Sequence, residues 1–340
     1  EPVGPGMTHR GIIEKSQPWQ IHVLEIDLRN PYVKFESVKA RDLLAGRETT
    51  SSMARRNQYK GHRVVAAING DFFEADGTPV NLQIREGEIL RKPIARTVVG
   101  FSGNARPVWG RLQFSGSVAK ESSVATIEDI NGTRDSNELV LYNRWFGSST
   151  LTNAFGSEAV LHPLHGWQVN DTLTCVIDSA AAGIGNMVIP QSGAVLSGHG
   201  SAAAFIKTNL HKGDTVKLWL GLPPCNDKIR EMVGGLPQIV VNGKEDVAAA
   251  QRKEGGNDAF THSRHPRTAV GLNADSSRFY FVTVDGRQPV ISNGMSLKEL
   301  ADFLIHIGVY HGVNLDGGGS TTMVVDDVMV NSPSDATGER

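Results

Sequence analysis

Three segments of the chain share one plan: an apolar strand runs out, and an aspartate follows with glycine beside it. They are A-A-I-N-G-D-F-F (66–73), F-V-T-V-D-G-R (281–287) and V-N-L-D-G-G-G-S (313–320). No other feature limits the fold as much. A strand-length run that stops at Asp and Gly must turn sharply, since glycine enters backbone conformations closed to other residues. Strand ends are rigid platforms, and the loops after them collect functional side chains. If these three ends lie side by side, Asp71, Asp285 and Asp316 line one cleft, with Asn69 and Asn314 in the same motifs.

The rest of the chain reads as mostly strand. Alternation of apolar and polar residues predicts a strand over 20–28, and short apolar runs predict strands over 63–68, 80–85, 97–101, 107–114, 137–142, 172–178 and 215–220. A strand pair follows over 267–273 and 278–284, and a last clear strand over 309–315. Helices are few. One short helix is expected over 48–58. Another opens on the capping box Ser296-Leu297-Lys298-Glu299, presents Leu297, Leu300, Leu304 and Ile307 on one face, and ends at Gly308. Residues 1–10, 143–160 and 181–200 read as irregular or loop, and 244–266 as a polar, mobile excursion. The fold class is therefore α+β, with β-rich mixed sheets. R-T-V-V-G-F (96–101) echoes R-T-A-V-G-L (267–272), and each follows a Gln-Ile pair and a glycine: Gln83-Ile84 before Gly87, Gln238-Ile239 before Gly243. Two similar halves packed around one cleft is one reading, and two unrelated strand-and-turn units is the other.

Composition removes several classes. A chain of 340 residues with 39% apolar and 21% charged residues can bury a sizeable core. The net charge of −2 is scattered, with no basic cluster to meet nucleic acid. No apolar run approaches the roughly 20 residues of a membrane span. Cys175 and Cys225 stand outside any C-x-x-C pair, which speaks against a cysteine metal site; one disulfide and two buried thiols both stay open. No Gly-x-Ser-x-Gly elbow is present, and no histidines show H-E-x-x-H spacing.

The chemistry then rests on the motif ends. Gly317, Gly318 and Gly319 with Ser320 and Thr321 can form a nest of N–H groups for a phosphate or oxyanion. It is not a nucleotide P-loop, because no lysine follows the glycines. Arg267 and Arg287 sit in or beside the motif strands and can pair with a phosphodiester, whereas Arg85 reads as a surface residue. His199 and Glu158, in glycine-rich stretches, are candidate acid or sugar contacts. Clustered aspartates also admit a divalent cation such as calcium; otherwise no cofactor is expected.

Taken in order, A-I-N-G-D-F-F (67–73), M-V-G-G-L-P (232–237) with V-N-G (241–243), R-T-A-V-G (267–271), V-D-G-R (284–287) and N-L-D-G-G-G-S-T-T-M (314–323) resemble the phosphodiester glycosidase family. The resemblance covers roughly residues 20–330. It implies one catalytic domain there, between an N-terminal extension (1–19) and a tail (331–340). It also implies hydrolysis between a sugar anomeric carbon and phosphate, with an N-acetylglucosamine-like sugar or a cell-surface glycan as the expected substrate. Asp316, Asp285, Arg287 and Arg267 match the motifs firmly; at the position of Asp71 other members often carry glycine. A secreted or periplasmic setting is the expectation. The alternatives are a glycosidase acting on an ordinary polysaccharide and a carbohydrate-binding module without catalysis. The former needs a protonated carboxyl acid, for which Glu158 is the candidate.

Overall fold

The computed structural model describes residues 1–340. In chain order the first strands are β1 (Pro2–Gly4), β2 (Met7–Glu14) and β3 (Trp19–Asp27), then helix α1 (Thr50–Arg56), β4 (Ala66–Ile68), β5 (Gln83–Arg85), β6 (Glu88–Arg91), β7 (Thr97–Ser102) and β8 (Pro107–Arg111). A long insertion follows: β9 (Ser115–Lys120), β10 (Ser123–Ile127), β11 (Asp129–Ile130), β12 (Leu139–Asn143), β13 (Gly156–Pro163), β14 (Thr172–Ala182), β15 (Ala194–His199), helix α2 (Gly200–Asn209) and β16 (Thr215–Gly221). The last part carries β17 (Ile229–Gly234), β18 (Gln238–Val241), β19 (Lys244–Glu245), α3 (Val247–Glu254), α4 (Asp258–His262), β20 (Arg267–Leu272) and β21 (Arg278–Val284). It closes with α5 (Leu297–His306), β22 (His311–Asn314), β23 (Met323–Val325) and β24 (Val328–Met329). The class is α+β and β-rich, as the periodicity requires.

The echo between 96–101 and 267–272 has a structural counterpart. One sheet runs β6-β5-β17-β7-β8, and part of another runs β19-β18-β22-β20-β21. Each unit is a hairpin, then a second hairpin, then a later strand inserted between them. The register agrees as well: Val98 opposes Gly234 in one unit, and Ala269 opposes Asn314 in the other. The equivalent pairs Val99 and Val270, Phe101 and Leu272 are buried in a single core cluster. Alternate residues of each strand point to this shared core, so the two units bury one another. Burying each such side chain contributes about 1.5–3 kcal/mol.

The insertion forms an eight-stranded sheet under α2, and its apolar face joins Ile84, Ile89, Val98, Val108 and Met232 of the first unit in one cluster of 28 buried apolar residues. Cys175 and Cys225 lie in and just after it as free thiols, the first buried and the second half-buried.

Several local expectations change. Residues 1–10 are not irregular: β1 and β2 pair onto β3 at a sheet edge. Their sequence hid this because an edge hairpin leaves β2 largely exposed and without clean alternation. Of 63–68 only Ala66–Ile68 is strand. The stretches 143–160 and 181–200 contain the start of β13 and all of β15. The polar excursion over 244–266 is largely α3 and α4. The capping box over 296–299 forms as read: the Glu299 amide donates to Ser296 Oγ at 3.2 Å, and the Ser296 amide donates to Glu299 Oε2 at 2.9 Å. Pairing of β4 with β23, Ile68 opposite Met323, carries the loop after β4 to the glycine run after β22.

Candidate functional site

Asn69 ties the first and third motifs together. Its Nδ2 donates to the Asp316 carbonyl at 2.8 Å, and its Oδ1 accepts from Thr268 Oγ1 at 2.7 Å and the Thr322 amide at 3.1 Å. The Asp316 amide in turn donates to the Gly70 carbonyl at 3.1 Å. Asn314, fully buried, donates from Nδ2 to the carbonyls of Leu236 and Leu315, both at 2.7 Å, which docks M-V-G-G-L-P beside the site. Each bond contributes only about 1 kcal/mol, but left unpaired these buried groups would cost more. Gly234 is required for a specific reason. A Cβ there would collide with the Asp71 carboxylate and stand 2.6 Å from Asn81 Cβ.

Asp71 and Asp316 line one cleft of about 150 Å³, with Asn69, Ser320 and Gly234 in its wall. Their environments differ. Asp316 Oδ1 accepts the Gly317 amide at 2.9 Å, and the Ser320 hydroxyl and the Arg340 charge also favour its ionised form; burial outweighs them and raises its pKa above the usual value. Asp71 has two buried oxygens with no hydrogen bond of good geometry. Burial pushes it up to about 7; the nearby Phe72 and Asn81 amides and the Arg96 charge offset only part of this, and the Asp316 charge adds to it. Two neighbouring carboxyls with one hydrogen-bonded and one unpartnered favour one ionised and one protonated group near neutral pH.

The other aspartate does not join them. Asp285 is fully buried, accepts Asn331 Nδ2 and the Ser332 amide, each at 3.0 Å, and is pushed up to about 6 by burial. It anchors the segment after β24 rather than facing the cleft. Arg267 is equally committed. Its guanidinium donates to the carbonyls of Met295 at 2.9 Å, Phe260 at 2.7 Å and Ser263 at 3.1 Å, and burial draws its pKa down to about 10. Arg287 is exposed, lies over Gly318 and meets His265 Nδ1 at 3.4 Å.

The glycine run is a tight turn rather than an open nest. The Gly317 amide goes to Asp316 and the Gly318 amide to the Pro266 carbonyl at 2.9 Å. The amides of Ser320 and Thr321 close on the carbonyls of Gly317 and Gly318 at 3.2 and 3.3 Å. A side chain at Gly319 would collide with the Asp335 carboxylate. Glu158 sits in β13 of the insertion, where Thr150 Oγ1, Thr152 Oγ1 and the Met187 amide bond its carboxylate at 2.8, 2.7 and 2.8 Å. His199 precedes α2 in the same insertion. Neither lines the cleft. No three His, Cys, Asp or Glu side chains converge as metal ligands.

Three cleft residues have no motif around them, Lys39, Arg47 and Arg340, and a fourth, Phe73, closes the first motif. Arg47 and Arg340 both lie over the Phe73 ring, at 5.8 and 5.7 Å from its centroid. Arg47 also donates to the Ala75 carbonyl, and Arg340 reaches Asp335 at 3.8 Å. Lys39 donates to the Gly46 carbonyl at 3.0 Å, and burial lowers its pKa to about 8. Isolated basic residues in polar loops give no periodic or spacing signal; only Phe73 stood inside a quoted motif.

A mouse N-acetylglucosamine-1-phosphodiester alpha-N-acetylglucosaminidase is 33% identical over 121 residues, 34% of this chain and 23% of that enzyme. The chain thus spans less than a quarter of the length of the mouse enzyme. A crystal structure of a Synechocystis protein shares the fold with a TM-score of 0.70 at 20% identity, covering 96% of this chain and 59% of the other. A Burkholderia pseudomallei protein gives 0.68 at 24% identity, covering 95% and 72%. The sequence profile of the phosphodiester glycosidases matches residues 168–340, which include the glycine run, Asp316, Asp285, Arg267 and Arg287. With half of its length inside that profile, the chain belongs to the phosphodiester glycosidase family.

Proposed function

We propose that the chain hydrolyses the bond between a sugar anomeric carbon and phosphate in a sugar-1-phosphodiester, with Asp316 and Asp71 as its catalytic pair. The observation that carries this reading is the cleft itself: two adjacent carboxyls in unlike environments, facing Arg47 and Arg340. In the reaction the C1–O bond breaks, and the phosphate monoester leaves with the bonding electrons. Its conjugate acid has a pKa of about 6, so the departing group needs charge stabilisation more than a strong acid. Arg47 and Arg340 supply that charge. Ionised Asp316 supports the oxocarbenium-like transition state as nucleophile or as base for water, and protonated Asp71 hands its proton to the departing oxygen. The glycine run holds Asp316 in place rather than receiving the anion.

Family membership supports a phosphodiester substrate, and the mouse relative's name supports N-acetylglucosamine as the first sugar to test. An exported setting goes with that reading. A polysaccharide glycosidase is the second reading, because a protonated Asp71 is also the acid an alcohol leaving group needs. A panel of chromogenic glycosides, UDP-sugars and sugar-1-phosphodiesters separates the two. Free sugar released only from phosphate-linked compounds supports the first reading, and turnover of aryl glycosides alone overturns it. A parallel arm with EDTA is expected to leave the rate unchanged.

A further inference from the structure

A second hollow, about 610 Å³ in volume, lies between the two duplicated units. Cavities of this size hold small molecules in other proteins. Val99 and Phe101 of β7 pack on Val270 and Phe279 of β20 and β21 in its wall, with the Phe101 and Phe279 ring centroids 5.2 Å apart, and Phe281 lies against the same cluster. Phe35 stacks on Phe101 with ring centroids 3.8 Å apart. The five consecutive apolar residues Val64 to Ile68 are all only half-buried. Their remaining surface faces this hollow. A contiguous apolar surface left uncovered inside a folded chain marks a place for an apolar occupant.

Two further observations fix its chemistry. The hollow adjoins the Asp71–Asp316 cleft: Thr50, Met53, Asn69 and Gly70 line both. And its buried carboxylate and the histidine at its rim are already engaged. Glu231 in its wall accepts the amides of Ser37 at 2.9 Å and Glu86 at 3.0 Å, and His62 at its rim meets Glu36 at 2.7 Å. A peptide entering it would leave its own backbone donors and acceptors unpaired. A hydrocarbon chain would not.

We propose that this chamber binds an alkyl or isoprenoid chain attached to the phosphate, so that the substrate class is a glycosyl phosphodiester of a lipid alcohol. This rests on the reading of the Asp71–Asp316 cleft for its orientation, with the sugar in the cleft and the chain running past Gly70 and Met53. Calorimetry with dodecyl phosphate and methyl phosphate tests it without any turnover. Each buried methylene strengthens binding roughly fourfold until the chamber is full. Dodecyl phosphate is therefore expected to bind at least 100-fold more tightly than methyl phosphate. Ala54→Phe, which fills the chamber from α1, and Val64→Glu, which places a charge in it, are each expected to remove most of that difference. Melting curves for both variants establish that they fold.

Equal affinity for the two phosphates overturns the proposal, as does a difference that neither folded variant reduces. A second copy of the chain in the chamber would appear as a concentration-dependent dimer that dodecyl phosphate leaves intact, and that also overturns it. Hydrolysis of methyl- and dodecyl-linked N-acetylglucosamine-1-phosphate is measured beside the binding. Cleavage of both with equal KM retains the proposed reaction and rejects the chamber. Tight dodecyl phosphate binding with no cleavage of either retains the chamber and rejects the reaction.

Discussion

The two duplicated units differ most where they should be most alike. Arg96 and Arg267 open equivalent strands, and Gly234 and Asn314 face equivalent register positions. Yet Arg267 is enclosed by three carbonyls, while Arg96 is half-exposed and acts on Asp71 through its charge. The excursion over 244–266 accounts for this. It exists only in the second unit, and its α4 supplies part of the cage around Arg267. The end of its α3 supplies Glu254, which accepts the amides of Thr97 at 2.7 Å and Gln238 at 3.2 Å. Thr268, the equivalent of Thr97, uses its hydroxyl to hold Asn69 instead. One copy contributes Asp316 to the cleft, and the other contributes Gly234, the space in which Asp71 lies. The lesson is that duplicated strands can be shared scaffold while the chemistry sits in the turns that diverged.

The largest expected effect separates Asp316 from Asp285, which share a motif plan but not an environment. Asp316→Asn is expected to keep the fold and lower kcat by about 10²- to 10⁴-fold. Asp285→Asn is expected to lower the melting temperature, while the folded fraction keeps near-normal kcat. Equal loss of turnover per folded molecule in both would remove the distinction drawn from their hydrogen bonds. Next in size is the arginine pair. Arg267→Met leaves three carbonyls without their donor and is expected to destabilise by about 3 kcal/mol or more, read by denaturant unfolding. Arg96→Met is expected to stay within about 0.5 kcal/mol in stability and to change the pH dependence of activity instead. A smaller effect is expected for Gly234→Ala: about 1–3 kcal/mol of stability lost to overpacking, with activity falling as the Asp71 carboxylate is displaced.

Much of this was legible beforehand, and the exceptions share a cause. The register-forming residues, the capping box at Ser296, the echo at Arg96 and Arg267 and the meeting of Asp71 with Asp316 all follow from local pattern. What sequence could not supply was which polar groups had already found partners. Arg267, Asp285 and the amides of the glycine run look like ligands as a string of letters, because a guanidinium or an N–H group is a donor in any context. Only the fold reveals that Phe260, Ser263 and Met295 present carbonyls to the first, that Asn331 donates to the second, and that Pro266 accepts from the third. Lys39, Arg47 and Arg340 were missed for the opposite reason. Each is a single basic residue in a loop, brought to the cleft by contacts between residues far apart in the chain.

The finest test concerns the protonation that distinguishes Asp71 from Asp316. Asp71 in the folded chain holds its proton up to about pH 7, whereas an unfolded aspartate releases it near pH 3.8. Between those values the folded state binds the extra proton, so its contribution to stability is fully present below the lower pH. That contribution falls as pH rises toward 7 and is constant above it. Asp71→Asn carries no titrating group and should flatten that part of the stability profile. The same substitution should remove the alkaline limb of kcat/KM, whose midpoint in the unmodified chain is expected near pH 7, while leaving the acid limb set by Asp316. An alkaline limb that survives Asp71→Asn unchanged would assign the proton to another group. Lys39, lowered to about 8 in the same cleft, is the first to examine, and Lys39→Met should then be the variant that moves it.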